Sequence, residues 1–175
     1  MKGSRFKWQL ARFHEAAEIS DLLNLAYRGV DNWTEETQLL SGKRSTQSLV
    51  ERSMNETGTY FFVCRNDAAL LACARLTLVG NEAYIGSFAV LPRYQRNGIG
   101  SYLLSEIEQI VMKEYGVTFF SVPVLSEQHT LKAFYEKCGY QKNGQAEPYP
   151  AHLNIGTPKR SDIMIEFYLK KASLH

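Results

Sequence analysis

The stretch Val90-Leu91-Pro92-Arg93-Tyr94-Gln95-Arg96-Asn97-Gly98-Ile99-Gly100 decides how this chain is interpreted, because it joins an apolar strand pattern to a helical one. Gly98 and Gly100 have no Cβ and tolerate positive φ, so the backbone there can approach a ligand closely. The first N–H groups of a helix lack intrahelical partners, and the helix dipole favours an anion such as a diphosphate. Arg93 and Arg96 could add charge-assisted contacts to phosphate oxygens. These features indicate a phosphate-binding turn.

The spacing around these glycines excludes two common phosphate-binding motifs. No Gly-Lys-Ser/Thr follows, so the stretch is not a P-loop, and it lacks the third glycine of the dinucleotide-binding fingerprint. On its residues alone, the segment is either a diphosphate-binding turn or an ordinary helix start that contains glycine.

Upstream of the turn, three apolar or alternating runs predict an antiparallel meander. The runs cover residues 60–65, 68–79 and 82–91, and the turn dipeptides between them are Asn66-Asp67 and Gly80-Asn81. Nearer the N-terminus, apolar spacing predicts three shorter elements. These are a strand over 8–13, a helix over 15–27 and a second helix over 48–54.

Downstream of the turn, the apolar period predicts a helix, a strand, a second helix and a last half-buried strand. The helical stripe of the first runs over residues 99–111, and the others cover residues 117–124, 127–138 and 163–170, with Gly116 and Gly139 as the helix stops. We therefore predict a mixed α/β (α+β) fold with a largely antiparallel sheet, in a single domain over residues 1–175.

Composition excludes several functional classes. Twenty Lys and Arg against 18 Asp and Glu give a net charge of +2, too small for a nucleic-acid surface. No run of 18 apolar residues predicts a membrane span, and the first ten residues lack the apolar core of a signal peptide. We expect a cytoplasmic protein with neither a nucleic-acid nor a membrane partner.

Two segments resemble the GNAT superfamily of N-acetyltransferases. Gln95-Arg96-Asn97-Gly98-Ile99-Gly100 is similar to its Q/R-x-x-G-x-G/A acetyl-CoA motif, and Val90-Leu91-Pro92 to the Val-x-Pro that often ends the fourth strand. Thr130 to Tyr140 resembles a later helix of the family, which usually ends in Tyr-x-Lys-x-Gly-Phe. The close resemblance covers residues 82–140. It implies a GNAT-type sheet of six to seven strands flanked by about four helices.

The resemblance also implies acetyl-CoA as co-substrate, with no metal. Backbone groups of Phe88, Ala89, Val90 and Leu91 would pair with the pantetheine arm where the fourth and fifth strands splay apart. The pyrophosphate would lie on the turn formed by Gln95, Arg96, Asn97, Gly98, Ile99, Gly100 and Ser101. The chain has Gln128 where an Asn is common, and its amide offers the same donor and acceptor.

Tyr135 stands at the family's usual general-acid position, where it would contact the cofactor and protonate the departing thiolate. The alternative is core packing, because Tyr135 lies on an apolar stripe with Leu131 and Phe134. The base is open. Glu82 is one candidate, two residues before the Tyr84 that stands where some relatives carry a Glu. The other candidates are Glu35, Glu36, His152 and an ordered water.

Two irregular segments are expected to select the amine. They are residues 30–46, with Trp33 and Glu36, and the proline-containing residues 145–161, with Tyr149 and His152. In GNAT-like folds both positions border the acceptor cleft. The resemblance thus implies transfer of an acetyl group, in a ternary complex, to a primary amine of a small molecule or peptide. A catalytically silent acyl-CoA-binding sensor is the alternative, and a homodimer remains open.

Overall fold

The computed structural model describes residues 6–30 and 35–173. The strands are β1 (Lys7–Leu10), β2 (Leu40–Ser41), β3 (Thr59–Asn66), β4 (Ala69–Val79), β5 (Glu82–Val90), β6 (Phe119–Leu125), β7 (Gln141–Pro148), β8 (Thr157–Pro158) and β9 (Met164–Lys171). The α-helices are α1 (Ala16–Arg28), α2 (Glu36–Leu39), α3 (Gln47–Met54), α4 (Ile99–Tyr115) and α5 (His129–Lys137). No helix in these ranges is long and apolar enough to span a membrane.

Seven strands form the main sheet in the order β1-β3-β4-β5-β6-β9-β7. Every neighbouring pair is antiparallel except β5 and β6, which are parallel. The predicted meander is β3-β4-β5, and Asp67 and Gly80 adopt positive φ in its two turns. The prediction of a mixed fold with a largely antiparallel sheet is confirmed.

Apolar side chains cover both faces of this sheet. One core cluster packs α4 and α5 against β4, β5 and β6 through residues such as Leu103, Ile107 and Phe120. The other packs α1 and α3 against the opposite face through residues such as Ile19 and Val63. The helical stripes therefore hold both helix layers against the sheet.

The parallel pair β5–β6 is joined at one end only. Its register covers Glu82 to Tyr84 opposite Phe119 to Ser121, and the remaining residues of the two strands are unpaired with each other. In the same half of β5, Ser87 and Phe88 lie opposite the single residue Ala74 of β4, which is a β-bulge. Ser87 takes a φ of 48°, a conformation that is uncommon outside glycine. The splay that the family resemblance implies between the family's fourth and fifth strands is present here between β5 and β6. The bulge redirects the backbone of β5 beside it.

The expectation that residues 145–161 form no regular element is wrong in part. Residues up to Pro148 complete β7, and Thr157 and Pro158 form β8. Among the described strands, β7 pairs with β9 alone and forms an edge of the sheet, so Pro148 at its end removes no ladder hydrogen bond from a central strand. Every residue of β7 is exposed, so it lacks the alternating pattern by which a strand is recognised.

β8 pairs with β2 and so joins the two irregular segments directly. The backbone N–H of Lys159 donates to the carbonyl of Leu39 at 2.9 Å, and Arg28 Nη2 donates to the carbonyl of Ile155 at 3.1 Å. Gly156 has a φ of 120°, which L side chains rarely adopt, and a Cβ there would lie 3.2 Å from the backbone carbonyl oxygen of Ser41, so this position favours glycine. The described parts of residues 30–46 and 145–161 therefore pack as one unit beside the splay.

Candidate active site

One cavity of about 220 Å³ adjoins the turn after β5, and we call it the turn cavity. Its lining comes from α1, the end of β5, the turn, the start of α4 and one face of α5. The lining residues are Ala26, Tyr27, Phe88, Ala89, Val90, Gln95, Arg96, Gly98, Gly100, Ser101, Leu131, Phe134 and Lys137. Eight of the eleven residues predicted for the strand end and the turn are thus brought together.

The turn presents free helix-terminal N–H groups to this cavity. Gly98 is the N-cap of α4 with a φ of 76°, and no side chain of the described residues caps the helix. The first intrahelical bond runs from Tyr102 N–H to the Gly98 carbonyl at 3.1 Å, so the N–H groups of residues 99–101 precede the ladder. Gln95 Nε2 donates to the Val90 carbonyl at 2.7 Å and ties the turn to the strand end. Such a terminus favours an anion.

Three predicted residues of this region lie outside the lining of the turn cavity. Leu91 borders a neighbouring surface groove together with Gln95 and Arg96. Asn97 is exposed, and the side chain of Ile99 packs against the core.

A second cavity, of about 400 Å³, lies between the separated halves of β5 and β6, and we call it the splay cavity. Six predicted site residues are in its lining: Glu36, Phe88, Gln128, Tyr135, Tyr149 and His152. The two cavities share Tyr27, Phe88 and Leu131, so they meet beside the β5 bulge.

Tyr135 lies in the lining of the splay cavity with only 3% of its surface exposed. Burial raises the pKa of its hydroxyl well above 10, and the nearby Tyr27 hydroxyl raises it further. Edge-on contacts with the rings of Phe134 and Tyr140, at centroid distances of 5.2 and 5.5 Å, fix its ring. Tyr135 is therefore a fixed, protonated phenol, and it also belongs to the core as the packing alternative expected.

Tyr27 was not singled out by sequence reasoning. Its hydroxyl donates to the carbonyl oxygen of Phe88 at 2.6 Å, and the Arg44 guanidinium lies 5.1 Å from the centre of its ring. Burial raises the pKa of this hydroxyl as well. Nothing in the sequence distinguishes it from any aromatic residue at the end of an apolar helix stripe.

Glu36 and Gln128 belong to one buried network, with 4% and 2% of their surfaces exposed. The Glu36 carboxylate pairs with Arg28 and accepts a 2.9 Å hydrogen bond from Gln128 Nε2, while Gln128 Oε1 accepts from the Leu125 N–H at 3.2 Å. The Gln128 amide, which was predicted to contact the cofactor, is thus engaged inside the protein and borders the splay cavity. Proximity of Glu36 to residues far away in sequence could not be foreseen from a short acidic run.

Glu82 is the predicted residue that lies farthest from this arrangement along β5. It pairs with Phe119 at the closed end of the β5–β6 pair, and it lines neither cavity. The pKa of the neighbouring Tyr84 is raised by burial of its hydroxyl and, second, by the charge of Glu82 and a hydrogen bond with it. Trp33 lies outside the described residues. Within residues 6–30 and 35–173, no three His, Cys, Asp or Glu side chains cluster as a metal site.

Comparison with known proteins relates this geometry to one family. A sequence model of the acetyltransferase (GNAT) family matches residues 17–140. Protein YyaT of Bacillus subtilis is 35% identical over 71 residues, which are 41% of this chain and 45% of YyaT. The chain therefore matches less than half the length of this curated relative.

Solved structures share the fold at low sequence identity. The spermidine/spermine N-acetyltransferase SpeG of Vibrio cholerae, in complex with manganese ions, superimposes with a TM-score of 0.68 at 14% identity, over 96% of this chain and 93% of SpeG. The PaiA N-acetyltransferase of Thermoplasma acidophilum, in complex with coenzyme A, gives a TM-score of 0.66 at 18% identity, over 95% and 99% of the two chains.

Proposed function

The chain belongs to the GNAT acetyltransferase family, and from that premise we propose that it transfers the acetyl group of acetyl-CoA to a primary amine of a small molecule or peptide. One observation carries the proposal. The turn cavity and the splay cavity meet at Tyr27, Phe88 and Leu131, so a thioester entering from one side and an amine entering from the other reach the same point.

The turn cavity suits coenzyme A chemically. The free N–H groups at the start of α4 and the positive charges of Arg96 and Lys137 in the lining match a diphosphate. The apolar end of β5, with Phe88, Ala89 and Val90, matches the pantetheine arm. When bound, acetyl-CoA supplies the activated acyl group. Coenzyme A in the PaiA structure supports this choice of ligand.

Residues at the junction suit the two proton transfers. An alkyl ammonium group has a pKa near 10 and must lose a proton before it attacks the thioester. We assign this step to His152, directly or through water, because its exposed imidazole lines the splay cavity and makes no hydrogen bond or ion pair within the described ranges. Glu82 is not carried forward as the base, given its position at the closed end of β5.

Tyr135 would protonate the departing thiolate, because its hydroxyl keeps its proton and its side chain borders the junction. A backbone N–H of the bulge near Phe88 would stabilise the oxyanion that forms on the acyl carbon. The acceptor would enter through the splay cavity past Tyr149 and His152.

A direct test measures two quantities on the same preparation. Calorimetry gives the affinity for acetyl-CoA, and release of free coenzyme A thiol gives the turnover of a panel of polyamines, amino acids and peptides. Acetyl-CoA binding with amine-dependent thiol release is the expected result. Binding without turnover of any amine would favour the silent acyl-CoA sensor, and absence of binding would refute both functions.

A further inference from the structure

Arg75 of β4 is a half-buried cation that forms no ion pair within the described part of the chain. It lies opposite Gly86 of β5 and lines the splay cavity. It also lines a surface groove beside α3, which includes Arg52, Ser53 and Glu56 and is distinct from the groove at Leu91. The Nε of Arg75 is buried with no hydrogen-bond partner, and Nη1 reaches only the Ser53 hydroxyl, at 3.5 Å. Burying a charge without a partner is costly, so this guanidinium is suited to bind a ligand that supplies a negatively charged hydrogen-bond acceptor.

The surrounding charges leave a positive excess at this point. Arg44 lines the same cavity and groove. The pKa of Arg75 is lowered chiefly by its own burial and, second, by the positive charge of Arg44. The Glu36 carboxylate is shared, because it pairs with Arg28 and lies 3.9 Å from Arg44 Nε, so one negative charge faces three arginines. The remaining carboxylates, Glu147 in the splay cavity and Glu56 in the groove, belong to exposed residues; Glu56 acts to raise the pKa of Arg75, but less than burial and Arg44 lower it.

The position of Arg75 relates it to the reacting centre. A Cβ at Gly86 would lie 3.2 Å from Arg75 Nη2, so the guanidinium packs directly on the backbone of β5. Gly86 is two residues before Phe88, where the two cavities meet. An anionic group held by Arg75 would therefore lie close to an amine positioned for attack.

We propose that Arg75, assisted by Arg44, binds a carboxylate of the acceptor, so that the acceptor is an amine carrying a carboxylate a few bonds from its amino group. The proposal rests on the proposed function and names its substrate class. A planar guanidinium pairs with a carboxylate through parallel hydrogen bonds, which a simple amine cannot provide. Polyamines, the acceptors named for SpeG, lack that group and would meet two like charges here.

The test compares acceptors that differ only in the carboxylate. Lysine with cadaverine, ornithine with putrescine and tyrosine with tyramine are such pairs. A dipeptide with a free C-terminal carboxylate is compared with the same dipeptide amidated at its C-terminus. Comparing that dipeptide with the free amino acid then shows whether the carboxylate comes from a peptide or from an amino acid. The carboxylate member should show a kcat/KM higher by about 10- to 100-fold, typical of a charged hydrogen bond. Arg75→Gln should remove this preference, and Arg75→Lys should restore part of it.

Arg52→Gln is the matched control, because Arg52 lines the same groove but is exposed. A second readout needs no turnover: binding of N-acetyl-L-tyrosine against N-acetyltyramine, with coenzyme A present. Wild-type protein should bind the carboxylate product at least about tenfold more tightly, and Arg75→Gln should not.

The outcomes separate the two hypotheses. Equal or better turnover of the decarboxylated amines would overturn the carboxylate site and leave acetyl transfer standing. No turnover of any amine, with Arg75-dependent binding of the acetylated amino acid, would retain the site and refute the transferase. No turnover and no carboxylate preference in binding would overturn the site as well.

Discussion

The Tyr27 hydroxyl donates a 2.6 Å hydrogen bond to the carbonyl oxygen of Phe88, and this bond joins α1 to the bulged strand at the point where the two cavities meet. Both residues are buried, so the carbonyl has no easy access to water as a replacement. The bond therefore holds the β5 backbone in the position that the proposed chemistry requires.

Replacing Tyr27 by Phe should lower the free energy of unfolding by about 1–3 kcal/mol, because a buried acceptor loses its donor. It should also lower kcat, because the bulge backbone near Phe88 is no longer held. Urea unfolding and thiol-release kinetics measure the two effects. Tyr60→Phe is a control, because Tyr60 packs on Tyr115 away from both cavities. Unchanged stability in Tyr27→Phe would contradict the assigned role of the bond.

Gly100→Val should abolish measurable acetyl-CoA binding while the protein stays folded. A Cβ at Gly100 would lie 3.5 Å from the Phe134 ring, which is ordinary contact, but the added methyl groups would occupy the turn cavity. Ala133→Val on the exposed side of α5 also introduces a valine side chain, but outside both cavities. Calorimetry should show normal affinity for that control, and normal affinity in Gly100→Val would refute the placement of the cofactor.

The fold and the turn could be predicted because their signals are local. The glycines at 98 and 100, the meander turns and the helical stripes each act within a few residues of chain, and the structure places them as expected. β7 escaped prediction because a fully exposed edge strand needs no hydrophobic face. The strand conformation of β7 depends on its hydrogen bonds to β9, which its own sequence pattern does not indicate.

The splay cavity could be predicted only in part, because it is assembled from distant segments. Glu36 meets Gln128 across 92 residues of sequence. Arg75 looks like a polar residue on a half-buried strand, and only the folded chain shows that its Nε is buried without a hydrogen-bond partner. Burial and partners of this kind depend on tertiary packing, which no short motif encodes.

Tyr135→Phe should leave acetyl-CoA affinity unchanged and lower kcat by about 10²-fold, the usual contribution of one proton-transfer group. Since the folded-state pKa of Tyr135 is raised well above 10, the acid form is lost only as pH rises through that higher value. The wild-type kcat should therefore show no alkaline decline from Tyr135 up to about pH 10.

Tyr140→Phe provides the control for this variant. Its ring contacts Tyr135 at 5.5 Å, but its hydroxyl donates to Glu108 at 2.6 Å within the core. It should lower stability with little effect on kcat. An undiminished kcat in Tyr135→Phe with an identified acceptor would return Tyr135 to a purely structural role.

The last prediction concerns the acceptor side of the splay cavity. Tyr149 and His152 line that cavity, and the Tyr149 hydroxyl donates to the Gly156 carbonyl at 3.1 Å, which steadies the segment that carries both residues. The double variant Tyr149→Ala with His152→Ala should raise the acceptor KM and lower kcat, for a combined loss in kcat/KM of about 10²-fold, while acetyl-CoA affinity stays unchanged. In His152→Ala alone, added imidazole should restore part of kcat if the ring accepts the proton of the amine.

Glu36 is unsuitable for this test, because its pairing with Arg28 and Gln128 makes any replacement a structural change. The matched control is Asn143→Ala with Gln145→Ala, which alters two exposed side chains of β7 outside the cavity lining. If kcat/KM for the acceptor is the same in the double variant, the control and the wild-type protein, the acceptor is selected elsewhere and the assignment of this segment is wrong.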